Sequence, residues 1–357
     1  MLWPMAFSMM LCALCGVLVA CSSDDDIPED DQNGRLHLMS CTRATPADYD
    51  FLNDTKLWLA LTSGTTQDSE GSYTYNDTKG EWTWTSGITV REAKQYYLYG
   101  VMLPPGSAED NPTIGITSTD YSKGATLTIS GVSPMLKESE VPSVVVGARG
   151  VTDPNTAWDV TEGNFGYMGI LKKGEDNAQL LLDRLYAGLT FSFTINKAYS
   201  SLRTIKLTKL VLKASDTTYD KVNLEVVLEA RTNGTSPIKS VSATPTSSTK
   251  VEDVTLFTDN DGQDIKDALT GMGTACFASS IASSLSVECE YDVYDKPTTG
   301  TPNKLAHRKA VNSLKEVITP GSLLQGKKRT IKLNVAPTYL YILSDADLDN
   351  PVITVSN

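Results

Sequence analysis

Apolar and polar residues alternate with a period of two along much of this chain. The clearest run is 189–195 (LTFSFTI). Runs of the same kind cover 57–61, 127–129, 222–228, 285–293 and 331–335. This period is typical of strands with one packed and one solvated face, which occur mostly in antiparallel sheets. Helical signals are scarce, the best being a short stretch at 264–269. The pattern therefore predicts an all-β protein of many short antiparallel strands.

Turn residues separate these runs and suggest how the strands are grouped. Pro, Gly, Asn and Asp cluster at 104–106, 153–155, 233–234 and 320–321, as in hairpins and short loops. A polar stretch at 172–177 (KKGEDN) precedes the strong strands from Leu180 onward. The chain is longer than one core usually serves. We therefore predict two tandem antiparallel β-sandwich domains, transthyretin-like or Ig-like, at 35–175 and 176–357.

The N-terminal segment has the layout of a lipoprotein signal peptide. Its first 20 residues are uncharged and apolar, LVAC stands at 18–21, and SSDDD follows at once. A small residue before a cysteine favours cleavage there, so we predict 1–20 as the signal peptide and Cys21 as the acylated residue. No Lys or Arg precedes the apolar run, which departs from the usual pattern. The alternative is a membrane-spanning helix, for which about 20 apolar residues would only just suffice. Pro4 and the acidic residues weigh against it.

Charge and composition limit the cellular locations and the binding partners that can be expected for this chain. Residues 21–34 are acidic and have too little apolar surface to fold, so they form a predicted tether. Acidic residues directly after the lipidated cysteine also resemble the surface-export signal of outer-membrane lipoproteins in Gram-negative anaerobes. We therefore expect a lipid-anchored protein exposed on the cell outer membrane. The net charge is −12 and Lys and Arg form no cluster, so nucleic acid is not an expected partner.

Three of the six cysteines remain available for pairing if Cys21 is lipidated and two leave with the signal peptide. They are Cys41, Cys276 and Cys289, and the predicted compartment is oxidising. A disulfide between Cys276 and Cys289 is one expectation. The other is a buried thiol, because alternation puts Cys289 on the apolar face of its strand.

Motifs for metal binding or catalysis are incomplete. Neither HExxH nor GxSxG occurs, the only CxxC (Cys12–Cys15) lies inside the predicted signal peptide, and the chain has two histidines, so we predict neither an enzyme nor a cofactor. A carboxylate pair for glycoside hydrolysis stays open, since 43 acidic residues supply many candidates. Carboxylates at 259–261 and 345–349 have the alternate spacing of calcium loops, and 271–273 begins like a dinucleotide fingerprint. Turn formation is the favoured interpretation of all three.

Trp82 and Trp84 lie two residues apart in EWTWT and would share one face of a strand. If both rings are exposed to solvent, they could stack on a sugar ring. Core packing or cross-strand pairing in a hairpin is the favoured alternative.

Three segments resemble the fimbrillins, the Mfa-like pilus subunits that Gram-negative anaerobes export as lipoproteins. They are GRLHLMSCTRA at 34–44, FLNDTKLWLAL at 51–61 and NVAPTYLYILSDADLDNP at 334–351. The resemblance implies that an Arg-specific protease cuts between Arg43 and Ala44 and releases the strand at 36–43. It also implies that the C-terminal segment of a neighbour, here within 339–357, fills the groove so uncovered.

The resemblance implies a structural subunit or accessory component of a surface fimbrium that supports adhesion or biofilm formation. Its expected partners are other fimbrial subunits in a head-to-tail polymer, an Arg-specific protease, the outer membrane through the lipid anchor, and a host protein or glycan. An unprocessed anchor or tip subunit is one alternative. A glycan-binding surface lipoprotein using Trp82 and Trp84 is another.

Overall fold

The alternating runs form strands, as predicted, and the protein is all-β. The computed structural model describes residues 36–43, 51–90, 95–151, 170–171, 177–230, 236–266, 269–318, 325–337 and 351–356. In chain order the strands are β1 (His37–Arg43), β2 (Lys56–Ser63), β3 (Thr66–Asn76), β4 (Glu81–Ser86), β5 (Tyr96–Leu103), β6 (Ile114–Thr117), β7 (Gly124–Val132), β8 (Met135–Lys137), β9 (Ser143–Val151), β10 (Ile170–Leu171), β11 (Asn177–Arg184), β12 (Ala187–Ile195), β13 (Arg203–Ala214), β14 (Val222–Glu229), β15 (Ile238–Pro245), β16 (Val254–Asp264), β17 (Ala275–Phe277), β18 (Leu285–Asp295), β19 (Lys304–Ser313), β20 (Lys328–Ala336) and β21 (Val352–Ser356).

The strands of the described residues form four sheets. The large sheet has eight strands in the order β1-β11-β9-β5-β2-β3-β4, with β10 paired to β5. The C-terminal sheet has five strands in the order β21-β20-β12-β17-β8. Two four-stranded sheets have the orders β16-β13-β18-β19 and β15-β14-β7-β6.

Helix contributes little to this fold. The predicted helix at 264–269 is wrong, because Asp264 ends β16 and Leu269 forms a bridge with Phe193. The α-helix of the described residues is one turn, Lys197–Ser200, whose start is capped by the Asn196 side chain.

Three apolar clusters hold the sheets together. The first lies between the C-terminal sheet and the sheet of β13 and β18, and includes Phe191, Phe193 and Leu207. The second lies between the large sheet and the sheet of β7 and β14. The third lies on the opposite face of the large sheet. Alternation explains how one sheet serves two clusters, since Leu57 and Leu59 of β2 belong to the third and the intervening Trp58 packs against the second.

Most strand pairs are antiparallel, as expected, but two are parallel. Residues 188–195 of β12 pair in parallel with β20, and β1 pairs in parallel with β11. Strands from both sides of residue 175 also share sheets, because β14 pairs with β7 and β17 pairs with β8. Residues 34–357 form one compact unit. The division into domains at 35–175 and 176–357 stays a prediction.

The expected disulfide is absent from the structure, which describes both cysteines. Cys276 lies on β17 and belongs to the second cluster, whereas Cys289 lies on β18 and belongs to the first. The two strands are in different sheets and direct these side chains into separate cores. The buried-thiol alternative applies to Cys289, and its burial raises the pKa of that thiol to about 12.

A carboxylate links the large sheet to the C-terminal sheet. Glu138 follows β8 and forms ion pairs with Arg184, at the end of β11, and with Lys328, at the start of β20. The distance from its carboxylate to the Lys328 ammonium is 2.5 Å. Burial alone would raise the pKa of Glu138, but the hydrogen bonds from Lys328 and Arg184 lower it to about 2.

This ion-pair cluster predicts an acid-sensitive component of stability. A carboxyl whose pKa is lowered by folding stabilises the fold above its ordinary pKa of 4.5, and that contribution is lost as the pH falls towards 2. Glu138→Gln should therefore lower the free energy of unfolding at pH 7 and flatten its pH dependence between 4.5 and 2, measured by denaturant unfolding. Glu140→Gln, in the same turn, is the control. Equal pH profiles for wild type and Glu138→Gln would contradict the assignment.

Candidate functional site

The first strand is an edge strand attached to the sheet by one neighbour. β1 is the terminal strand of the large sheet and pairs with β11 from His37, opposite Asn177, to Arg43, opposite Leu182. Leu36, just before it, is 1% exposed, and its N–H donates to the Ile88 carbonyl at 2.8 Å. Leu38 packs against the same third cluster. Backbone pairing and two leucines thus fix this strand.

The surface that β1 covers is apolar. Leu180 and Leu182 of β11 are 0% and 2% exposed and belong to the third cluster, as does Val145 of the next strand. Removing β1 would free the backbone groups of β11 along one edge and uncover this cluster beside it. Unpaired backbone beside apolar side chains is an unstable edge that a further strand can satisfy.

The predicted processing site lies at the end of this strand. Arg43 is the last residue of β1, so a cut after it would separate the strand from β2 and everything that follows. Ala44 lies outside the described residues, as do Cys21 and residues 339–350 of the predicted donor segment.

The described end of the predicted donor segment is also an edge strand. β21 is the terminal strand of the C-terminal sheet and pairs antiparallel with β20. Ile353 is 2% exposed and Val355 packs against the first cluster, whereas Val352 is 42% exposed. The segment therefore has the alternating apolar face that an added strand needs.

A tyrosine hydroxyl fastens the start of β21. Tyr291 of β18 donates its hydroxyl to the Pro351 carbonyl at 3.0 Å, in a buried position. Burial raises the pKa of Tyr291 to about 12, so the hydroxyl is a donor at neutral pH. Alternation identified Tyr291 as a core residue, but nothing in the sequence indicates its partner 60 residues further on.

The two tryptophans of β4 do not form a shared exposed platform. Trp82 lies opposite Tyr75, and its ring contacts those of Tyr75 and Phe51 at centroid distances of 5.3 Å and 5.4 Å. It also packs against the third cluster. Trp84 is 36% exposed. The favoured interpretation, core packing or cross-strand pairing in a hairpin, is therefore confirmed for Trp82.

The remaining motifs form local turns where the structure describes them, and residues 259–261 do so inside β16, at an irregularity in its pairing with β13. The Asp261 N–H donates to the Asp259 carboxylate at 3.0 Å, which is an Asx turn. Gly271 and Gly273 have φ of +85° and +79°, as glycines of turns do. The carboxylates at 345–349 lie outside the described residues. Within the described ranges, His, Cys, Asp and Glu side chains form no group of three suited to a metal ion.

A membrane-spanning helix is also missing from the part of the chain that the structure describes, where every helix is too short or too polar to cross a bilayer.

Comparisons with known proteins give structural neighbours only. No protein-family model and no curated protein sequence matches the chain. A fimbrial protein of Bacteroides vulgatus is 11% identical, with a TM-score of 0.39, over 91% of this chain and 98% of that one. A candidate cell adhesion protein of Bacteroides uniformis is 9% identical, with a TM-score of 0.41, over 92% and 98%. The tip fimbrial protein Mfa3 of Porphyromonas gingivalis is 9% identical, with a TM-score of 0.30, over 90% and 98%.

These neighbours are fimbrial or cell adhesion proteins. At such identities and TM-scores they assign neither a family nor an activity, so the function has to follow from the residues of this chain.

The Tyr291 hydroxyl should hold the C-terminal strand in place. Tyr291→Phe should lower the free energy of unfolding by about 1 kcal/mol and selectively increase amide hydrogen exchange in Val352–Ser356. Tyr99→Phe is the matched control, because it removes a buried hydroxyl bond of 2.5 Å to the Tyr121 carbonyl in another cluster. If both variants leave exchange in β21 at the wild-type rate, the hydroxyl does not fasten the strand.

Proposed function

We propose that this chain is a structural subunit or accessory component of a cell-surface fimbrium whose subunits join by exchange of a strand. The observation that carries the proposal is the position of β1. It ends at Arg43 and forms the edge of the large sheet beside the buried Leu180 and Leu182. A single cut in the chain would therefore release an edge strand and leave a groove that another chain can fill.

Cleavage changes the competition for this groove. In the uncut chain, β1 is tethered and has a high effective concentration, so a strand from a neighbour cannot displace it. After the cut, β1 is held by its pairing with β11 and by Leu36 and Leu38. Burial of one leucine stabilises by roughly 1.5–3 kcal/mol. A donor with more apolar contacts can replace a strand held this weakly.

The C-terminal segment is the proposed donor. Strand addition takes affinity from main-chain hydrogen bonds and specificity from alternate side chains in pockets, and β21 presents Ile353 and Val355 on one face. The groove and the donor are different parts of the chain, so one subunit binds the next head to tail. Such contacts do not close on themselves and generate a filament.

Charge distinguishes β21 from another edge strand of the fold. β19 carries Lys304, His307 and Lys309, and Lys309 contacts Glu288 of β18 at 2.6 Å. Charged side chains along an edge oppose pairing with a further strand. β21, with the sequence VITVS, has no charge. Its lack of charge therefore makes β21 better suited to exchange than β19.

The proposal includes the location. Before cleavage, acylation of Cys21 would hold the chain to the outer membrane, and the acidic residues after it would provide the spacer between lipid and folded part. The cut after Arg43 would separate the folded part from this anchor. An Arg-specific protease, other fimbrial subunits and a host protein or glycan are the partners.

Cleavage after Arg43 should be the step that permits polymerisation. An Arg-specific protease could also cut after Arg35, just before the first strand, so the test removes both sites. The double variant Arg35→Ala, Arg43→Ala should stay monomeric after treatment with this protease, because its first strand cannot be released. Arg35→Ala alone is the matched control and should form filaments, as the wild type does. Light scattering and electron microscopy measure the difference. Filaments of the double variant at wild-type yield would contradict strand exchange.

The apolar face of β21 should be needed for donation. Ile353→Ala should reduce filament yield at least tenfold from equal amounts of cut, folded monomer, because the pocket on the neighbour loses its side chain. Thr354→Ala, on the exposed face, should assemble normally. Thermal unfolding of both monomers controls for the local cost of Ile353→Ala, about 2–5 kcal/mol. Equal filament yields from the two variants would exclude β21 as the donor.

A further inference from the structure

A cleft of about 410 Å³ lies on the face of the large sheet opposite the third cluster. Its floor is formed by Trp58 and Lys56 of β2 with their partners Ser72 and Thr74 of β3, and by Thr85 of β4. Cross-strand pairs point to one side of a sheet, so the register itself brings these side chains together. The volume is in the range of small-molecule sites, roughly 300–1,000 Å³.

The wall of the cleft comes from the sheet that packs on this face. Asp110, Asn111 and Pro112 precede β6, and Ile114 begins it. The Lys56 ammonium donates to the Asp110 carbonyl and so joins the wall to the floor. Strands β3 and β4 of the large sheet extend beyond this wall, so the cleft is open to solvent on their side.

Trp58 provides a fixed aromatic surface. It pairs with Ser72 on one side and Val101 on the other, so its backbone lies inside the sheet. Part of its side chain packs against the second cluster, and part lines the cleft. An aromatic ring anchored in this way can stack on the C–H face of a sugar ring at little cost in conformational entropy.

The polar groups around this ring suit hydroxyl ligands. Ser72 and Thr85 offer hydroxyls, Asn111 an amide and Asp110 a carboxylate, and all four residues are exposed. Within the described residues, the side chains of Ser72, Thr85 and Asn111 make no hydrogen bond. One ammonium and one carboxylate leave the cleft without net charge, which favours a neutral ligand over an anion.

We infer that this cleft binds a neutral carbohydrate, with the Trp58 ring as the stacking surface and Thr85, Asn111 and Asp110 as hydroxyl partners. The site is separate from the edge strands β1 and β21. Its test therefore uses the uncut monomer, and its outcome is independent of strand exchange.

The test measures binding of maltose, lactose, cellobiose and mannobiose to the uncut chain by saturation-transfer NMR and tryptophan fluorescence. At least one disaccharide should bind, and Asn111→Ala and Thr85→Val should each weaken that binding about tenfold. Both residues are exposed, so these variants keep the fold even if Trp58→Ala does not. Trp84→Ala is the matched control, since Trp84 lies opposite Tyr73 of the third cluster and therefore on the other face of the sheet.

Three results would overturn the inference. One is that none of the four disaccharides binds. Another is that binding survives in Asn111→Ala and Thr85→Val at wild-type affinity. The third is that binding is lost in Trp84→Ala and kept in the cleft variants, which would place a sugar on the opposite face of the hairpin.

Discussion

The pairing of β1 with β11 is the contact on which the N-terminal part of this fold depends. A strand inside a sheet has hydrogen-bonding groups on both edges, and those of β11 are divided between β9 and β1. The third cluster has the same dependence, because Leu36 and Leu38 cover part of it. Backbone pairing and apolar burial are therefore lost together if the strand leaves. An edge strand held by one neighbour is the part of a sheet most easily exchanged.

The C-terminal strand is also held at the edge of a sheet, and its proposed role is the opposite one, that of the donor. β21 rests on β20 and is fastened by Ile353 and by the Tyr291 hydroxyl. While β21 pairs with β20, its backbone groups and apolar side chains are already satisfied within its own subunit. The free energy of binding to a neighbour therefore has to exceed the free energy lost when β21 leaves this edge. The charged β19 and the uncharged β21 show that the edges of this protein differ in how strongly they resist a new strand.

The period of two was enough to predict the strands and their buried faces. It found β12 from Leu189, Phe191 and Phe193 because each strand has one packed face. It could not find partners, since alternation records which side of a strand is buried and not which strand lies beside it. The parallel pairing of β12 with β20 and the placement of Cys276 and Cys289 in separate cores follow from topology. At the candidate site, Arg43 came from the resemblance to fimbrillins, while the Tyr291 bond to Pro351 and the cleft around Trp58 needed the structure.

Hydrogen exchange in β11 shows whether β1 protects this edge of the sheet and whether a donor strand can replace it. The chain is cut after Arg43, the released N-terminal peptide is removed, and the protein is kept too dilute to assemble. The account predicts faster exchange of the Asn177–Arg184 amides after the cut, and recovery of protection when a synthetic peptide of residues 339–357 is added but not when a scrambled peptide is added. Unchanged exchange after removal of β1, or no recovery with the peptide, would contradict it.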